Sequence, residues 1–322
     1  MTFSEFIEEW RDGGDSICCH TSGSTGNPQE IQLPKKEVEN SARRTIEFFR
    51  LTPESYLYSC VAPDFIGGKM VAVRGIVLNP DEPRFGYEKP TNRPLEAYDG
   101  PKIDLLSVVP SQMEWILDRL DSCDAHGDRL RDKIGAVLIG GSFIPEGLRR
   151  RIAESGIEAW ESYGMTETAS HVALRRIGWP QEGFTPLPGV EISLVEGCLA
   201  IDIEGWKRVV THDIAEIDAE GRFSIVGRSD NVIVTGGNKV FPEDVEARLA
   251  GCFPFDFAIT WESDDKWGQR VVMIAETEEP DDKEIIKLCK EVLPAHMVPK
   301  GVLKGKIPRT PNGKIKRKGS LI

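Results

Sequence analysis

Three apolar runs of strand length are separated by two helix-patterned segments between residues 103 and 164, and this alternation restricts the fold more than any other feature. "IDLLSVVP" from Ile103, "IGAVLIGG" from Ile134 and "IEAWESYG" from Ile157 read as strands. "SQMEWILDRL" between them reads as a helix opened by Ser111, with Glu114 three residues on as a capping box. "PEGLRRRIAESG" reads as a second helix stopped by Gly156. Strands that alternate with helices predict an α/β fold with a parallel sheet and crossover helices.

The flanks extend this frame. Phe3, Phe6, Ile7 and Trp10 predict a short amphipathic helix closed by Gly13 and Gly14, and "SICCHTSGSTG" a strand that runs into a glycine-rich loop. Val38, Ala42, Ile46 and Phe49 predict a helix after Pro34. "YLYSCVAP" and "MVAVRGIVL" are buried strand or helix segments separated by Gly67 and Gly68. From Thr185 to Val226 the pattern changes to short strands and turns. After Arg228 it becomes a small α+β unit, with helices at Asp244–Leu249 and Asp281–Val292 and strands at Phe257–Trp261 and Arg270–Ala275. The boundary falls at Arg228–Asn231, which gives domains of residues 1–228 and 229–322.

The chain of 322 residues is 40% hydrophobic, enough for two cores. Its 52 acidic and 40 basic residues argue against nucleic acid as a partner, which needs clustered positive charge. The dense basic run, "KIKRK" at Lys314–Lys318, reads by itself as a solvated tail. Seven cysteines without a C-x-x-C suggest neither a zinc site nor a disulfide framework and fit a cytoplasmic protein. The acidic first residues carry no apolar core of a signal peptide. No apolar stretch approaches the ~18 residues of a membrane span.

Several stretches carry chemistry. In "TSGSTG", Gly23 and Gly26 let successive N–H groups face one anion, and Thr21, Ser22, Ser24 and Thr25 add hydroxyl donors; the alternative is an ordinary surface loop. "ESYGMTETAS" from Glu161 offers Tyr163 to a base, Thr166 to a phosphate and Glu167 to Mg²⁺, or is merely a strand-to-helix turn. Asp213 suits the two hydroxyls of a ribose, or a simple turn. Arg228, Asp230 and the flexible pair Gly236–Gly237 follow. Asn312-Gly313 predicts a tight turn that presents Lys314.

In this order, these stretches resemble the adenylate-forming superfamily of acyl-CoA synthetases, luciferases and peptide-synthetase adenylation domains, from about His20 to Lys316. "APDFIGGKMVAVRG", "SVVPSQ", "IGGSFIP", "SYGMTETASHVALR" and "GRSDNVIVTGGNKVFPEDVE" are similar to the o-succinylbenzoate–CoA ligases of menaquinone biosynthesis, in their short bacterial form. The resemblance implies two half-reactions. A carboxylate attacks the α-phosphate of ATP to give an acyl-adenylate and pyrophosphate, and the thiolate of coenzyme A then displaces AMP.

It also implies site residues. Lys314, Thr166 and Glu167 are catalytic, with Glu167 on Mg²⁺. The nucleotide is held by Thr21, Ser22, Gly23, Ser24, Thr25 and Gly26, by Gly141 and Ser142, by Ser162, Tyr163, Gly164, Met165 and Thr166, and by Asp213 and Arg228. The acyl group meets Lys69, Gly140, Thr168 and His171. Asp230 is the hinge about which the small domain rotates, withdrawing Lys314 and bringing Gly236 and Gly237 to coenzyme A. A dicarboxylate needs a cation for the acid group that does not react; Lys69, Arg74, His171 and Arg175 are the candidates, Lys69 first, against its alternative as a structural salt bridge.

Departures are visible. Gln29 stands where the family loop ends in lysine, and Phe65 is the nearest match to a histidine or aromatic that many relatives carry. The family's large domain has well over a hundred residues before the phosphate loop, against about twenty here, so that subdomain is expected to be reduced and a homodimer is one way to cover the sheet edge. Another aryl- or acyl-CoA synthetase, a kinase-like NTPase and a non-catalytic nucleotide-binding remnant are the rival readings; the kinase predicts ADP in place of AMP and pyrophosphate.

Overall fold

The parallel sheet foreseen from the alternating runs is the centre of the molecule. The computed structural model describes residues 1–20, 30–122, 125–179, 183–278, 280–309, 315 and 317. Seven strands lie in the spatial order Phe85–Tyr87, Leu57–Ser59, Ile103–Val108, Ile134–Ile139, Ala159–Met165, Ser170–Arg176 and Thr185–Pro186. The first five run parallel, the sixth runs antiparallel to them, and the seventh is antiparallel to the sixth.

The central strands read as continuous apolar runs because both faces are covered. Leu105 and Leu138 face one apolar cluster, packed by Phe3, Phe6, Val38, Ala42, Met70 and Val73 from the helices Phe3–Arg11, Lys35–Phe49 and Ile66–Leu78. Leu106, Val108, Val137 and Ile139 face the other, with Met113, Ile116, Leu117, Leu148 and Ile152 from the helices Pro110–Leu120 and Glu146–Ser155. This is the two-residue alternation of a strand between two helical layers. The first helix is opened by a reciprocal cap. The Thr2 hydroxyl accepts the Glu5 N–H at 3.2 Å, and the Glu5 carboxylate accepts the Thr2 N–H at 2.6 Å.

Two local expectations change. "MVAVRGIVL", open between strand and helix, is the helix Ile66–Leu78. The helix expected to open at Ser111 starts at Pro110, where a missing N–H costs nothing. Gln112, not Glu114, closes its cap, accepting the Val109 N–H at 3.0 Å and donating to the Cys60 carbonyl at 2.8 Å.

Residues 21–29 are bracketed by an antiparallel pair, Ser16–His20 with Glu30–Pro34. A four-stranded antiparallel sheet follows the main one, in the order Val190–Val195, Cys198–Ile203, Val209–Ile217 and Phe223–Arg228. The last part of the chain forms a five-stranded sheet with the helices Pro242–Arg248 and Asp282–Val292. Its apolar cluster, which includes Ile233, Val245, Ile259, Met273 and Cys289, draws on that part alone. No helix among the described residues is long and apolar enough to cross a membrane.

Candidate active site

The candidate site lies past the carboxyl ends of the parallel strands, where the sheet changes direction. Ile139 pairs with Glu161, so Ser162–Met165 runs on beyond its neighbour. Gly140 continues from Ile139 and donates its N–H to the Val108 carbonyl at 3.1 Å. The Ser162 hydroxyl donates to the Ile139 carbonyl at 3.0 Å. Gly141 and Ser142 are exposed at this edge.

The chain then turns back on itself. "MTETAS" is not the strand-to-helix turn of the alternative reading. It is one 3-10 turn, Thr166–Thr168, between two antiparallel strands, and His171 sits on the second strand rather than on a helix. The register shifts at Tyr163/Gly164. A Cβ on Gly164 would stand 2.3 Å from the Ser170 carbonyl oxygen and 2.4 Å from the His171 Cα, so the hairpin closes only with glycine there. Thr168 accepts the Met165 N–H at 3.0 Å and donates to the Ser170 carbonyl at 2.7 Å. Ala169 and Ser170 hold φ values of 52° and 95°, a strained pair of the kind found at functional turns. Thr166 is buried. Glu167 is half-buried, and its carboxylate has no partner among the described residues. The turn packs beside Glu30–Pro34, the strand that leaves residues 21–29.

A second group comes from the antiparallel sheet. Asp213 stands opposite Arg228 in register. One carboxylate oxygen accepts the Tyr163 hydroxyl at 2.6 Å and the other the Arg228 Nη1 at 2.9 Å. Arg228 also grips Asp230 through Nε and Nη2, at 2.9 and 3.1 Å. Burial, and then the Asp213 charge, push the Tyr163 phenol well above its usual range, so it remains a donor. Burial opposes the Arg228 charge, but Asp230 and Asp213 more than offset it and raise its pKa. The ordered chain Tyr163–Asp213–Arg228–Asp230 therefore links the main sheet to the first residues after the antiparallel one.

The four candidate cations have different surroundings. Arg175 is committed to Glu161, with Nε at 3.0 Å and Nη2 at 2.6 Å, and Arg149 shares that carboxylate. Lys69 turns toward the first helix. Its Nζ lies 3.9 Å from Glu9, 2.9 Å from the Met1 sulfur and 4.7 Å from the Phe6 ring centroid. These are the contacts of the structural alternative. Arg74 is fully buried, its Nε has no hydrogen-bond partner, and no carboxylate pairs with it among the described residues. Burial presses its guanidinium down to about 9, still a cation at neutral pH.

Arg44 adds a second buried Nε without a partner, and the Ser41 hydroxyl beside it on the helix Lys35–Phe49 also has none. Sequence reasoning missed both. The available signal was the polar set Ser41, Arg44 and Thr45 on the helix face that carries Val38 and Ala42.

His171 completes this buried polar group. Thr45 donates to the Ser41 carbonyl at 3.2 Å, so the imidazole donates to Thr45 through Nε2 at 3.1 Å and accepts the Ser170 hydroxyl at Nδ1 at 3.4 Å. Burial, then Arg74 and Arg44, hold its pKa well below the usual value. A folded-state pKa below the unfolded one stabilises the protein above the unfolded value and is lost as pH falls. Stability should therefore drop below about pH 6.5, by up to about 1.4 kcal/mol per pH unit, until the folded state also takes the proton. Urea midpoints of wild type and His171→Gln between pH 7.5 and 5 check this: the variant should show the shallower slope, and equal slopes would remove His171 as the cause.

The AMP-binding enzyme family profile matches residues 8–201. The chain belongs to the AMP-binding enzyme family. It is similar to an acyl-CoA synthetase (AMP-forming)/AMP-acid ligase II-like protein from Dyadobacter fermentans, at 31% identity over 98% of this chain and 91% of that one, with a TM-score of 0.63. The 2-succinylbenzoate–CoA ligase of Listeria monocytogenes serovar 1/2a is 27% identical over 97% of this chain and 71% of its own length. The fold is also that of o-succinylbenzoate coenzyme A synthetase from Bacillus subtilis in complex with ATP and magnesium, with a TM-score of 0.78 at 19% identity over 93% of this chain and 68% of that one. The chain is thus an adenylate-forming acid–CoA ligase with an α/β fold, and shorter than these ligases.

Beyond the profile match, this AMP-binding enzyme carries Gly236 and Gly237 between two strands of the five-stranded sheet. Gly236 and Gly237, with φ of 55° and 81°, are the two-residue turn between Ile233–Thr235 and Asn238–Val240. Both central residues need positive φ, so the pair is a defined turn and not a flexible link. Trp267 lies over Gly236, 2.5 Å from where a Cβ would stand. Thr21, Ser22, Gly23, Ser24, Thr25, Gly26 and Gln29 lie outside the described residues, as do Asn312, Gly313 and Lys314. The neighbours of Lys314 are anchored. Ile315 bridges to Arg309 and packs on Ala258, Ile274 and Ile307. Arg317 makes two 2.6 Å hydrogen bonds to Glu246 and a 3.2 Å ion pair with Glu243. At that position the basic tail is not a solvated face.

Proposed function

We propose that this ligase joins o-succinylbenzoate to coenzyme A through an acyl-adenylate, with release of AMP and pyrophosphate. The observation that carries the substrate choice is Arg74, a buried guanidinium without a carboxylate partner among the described residues, whose charge, like that of Arg44, is felt by a neutral His171. A charge so placed is costly unless an anion completes it. A dicarboxylic acid brings that anion as its second carboxylate. The Listeria relative, named as a 2-succinylbenzoate ligase, supports the same reading.

In the first half-reaction one carboxylate oxygen attacks the α-phosphorus of ATP and pyrophosphate leaves. In the second the coenzyme A thiolate attacks the acyl carbon and AMP leaves, its thiol proton passing to solvent. No protein nucleophile takes part, so the protein supplies position and charge. Residues 21–26 donate hydrogen bonds to the phosphates, and Ser162–Met165 with Gly141 and Ser142 line the nucleotide. Asp213 takes the ribose hydroxyls, with Tyr163 and Arg228 fixing its carboxylate. Glu167 suits Mg²⁺, because its hard oxygens have no partner of their own among the described residues; with Thr166 it would hold the ion, whose charge offsets that on the phosphate oxygens. Lys69, Gly140, Thr168 and His171 remain candidates around the acyl group, with Arg74 and Arg44 taking its distal carboxylate.

The division into residues 1–228 and 229–322 belongs to this proposal. Lys314 neutralises the carboxylate and α-phosphate in one orientation of the small domain. Rotation about Asp230 then brings the Gly236–Gly237 turn to the thiol. Pyrophosphate release with o-succinylbenzoate, benzoate, indoleacetate and a fatty acid tests the substrate. The dicarboxylate should be preferred by at least about 10²-fold in kcat/KM, because a monocarboxylate leaves the buried cation unpaired. Equal use of benzoate would end the assignment and leave the ligase chemistry standing.

A further inference from the structure

We propose that Cys18, His20 and Glu30 form a binding site for a divalent cation of the zinc class, at the base of the hairpin that carries residues 21–29. The sequence carries no zinc signature of closely spaced cysteines; the donors come together across two strands instead. Cys18 and His20 are two residues apart on Ser16–His20 and so share a face, while Cys19 points into the core. The register sets Glu30 directly opposite His20. One donor atom from each of the three lies within 4.8 Å of the others. A tetrahedral zinc holds such atoms about 3.5 Å apart, a difference that side-chain rotation covers.

The surroundings fit a ligand set. Gln32 donates to Glu30 at 2.9 Å and accepts from Ser16 at 3.2 Å, so the carboxylate is oriented by a polar ladder on the same face. The His20 ring has no hydrogen-bond partner among the described residues. One thiolate, one imidazole and one carboxylate select zinc over Mg²⁺, which demands six oxygens. Thiolate and carboxylate together neutralise the ion, and three protein donors leave a fourth position open. Occupancy would staple the two strands that flank residues 21–29. The site shares no residue with Glu167, and the inference does not depend on the acid that the enzyme uses.

The test is a titration of the full chain with Co²⁺ alone, without ATP or Mg²⁺. Binding of one equivalent with an intense near-ultraviolet thiolate-to-cobalt band is expected. Zn²⁺ should displace it and excess Mg²⁺ should not. Cys18→Ser should abolish the band, and His20→Ala or Glu30→Gln should weaken binding by at least about tenfold. His20 and Glu30 are exposed, so their variants should melt as wild type does and keep the test valid if Cys18→Ser folds poorly. No thiolate band in wild type, a band unchanged in Cys18→Ser, unchanged affinity in His20→Ala and Glu30→Gln, or displacement by Mg²⁺ would each overturn the site.

Discussion

Lys314→Ala should slow acyl-adenylate formation by about 10²–10³-fold while thioester formation from supplied acyl-adenylate stays close to the wild-type rate. The two halves are separable because the proposed roles fall in different orientations of the small domain. In the first, the lysine offsets charge that develops at the α-phosphorus. In the second, the leaving group is AMP and the lysine has been withdrawn. Its neighbour Ile315 packs on Ala258 and Ile274 of the five-stranded sheet and Arg317 bonds Glu246 on the helix Pro242–Arg248, so removal of one amino group leaves these anchors in place. The measurement is pyrophosphate formation against acid and ATP, set beside thioester formation from acyl-adenylate and coenzyme A. Equal loss in both would refute the division of labour.

Arg74→Met should raise the KM for o-succinylbenzoate by about 30-fold or more and leave the KM for ATP nearly unchanged, since removal of one partner of a buried charge pair costs about 2–5 kcal/mol. The preference over benzoate should narrow with it. Lys69→Met is the informative control. Lys69 is engaged with Glu9, Met1 and the Phe6 ring, so its loss should lower the melting temperature more than it alters acid selectivity. Steady-state kinetics on both acids decide the matter. If Lys69→Met abolishes the preference and Arg74→Met keeps it, the second carboxylate lies with the lysine.

The architecture was legible because a parallel sheet covered on both faces leaves continuous apolar runs, and Leu105, Leu106, Val137 and Leu138 are such runs. "MVAVRGIVL" was ambiguous for a related reason: a buried helix also reads as an apolar run, and its β-branched Val and Ile residues favour a strand. The hairpin at Thr166–Thr168 could not be read, since its closure depends on the approach of Ser170 to Gly164 and not on local propensity. Tyr163, Asp213, Arg228 and Asp230 were each named from motifs. That they form one hydrogen-bonded chain depends on the register of two neighbouring strands and on a side-chain contact between two sheets, which no motif carries. The buried cation group was half legible. Arg74 stood among the candidates, but Lys69 was placed before it, because which of two buried cations already has a carboxylate partner is a tertiary fact.

The uncompensated Arg74 has a consequence for the life of the protein in a cell. A buried guanidinium without an anion lowers the free energy of unfolding, and any acid that supplies the anion restores it. At a ligand concentration of about a hundred times Kd this linkage is worth about 2.7 kcal/mol. Chaperones and proteases sample the unfolded fraction, which shrinks by about two powers of ten over that range. The amount of enzyme that survives turnover would then follow the supply of its own acid substrate, with no regulator other than the charge in the pocket.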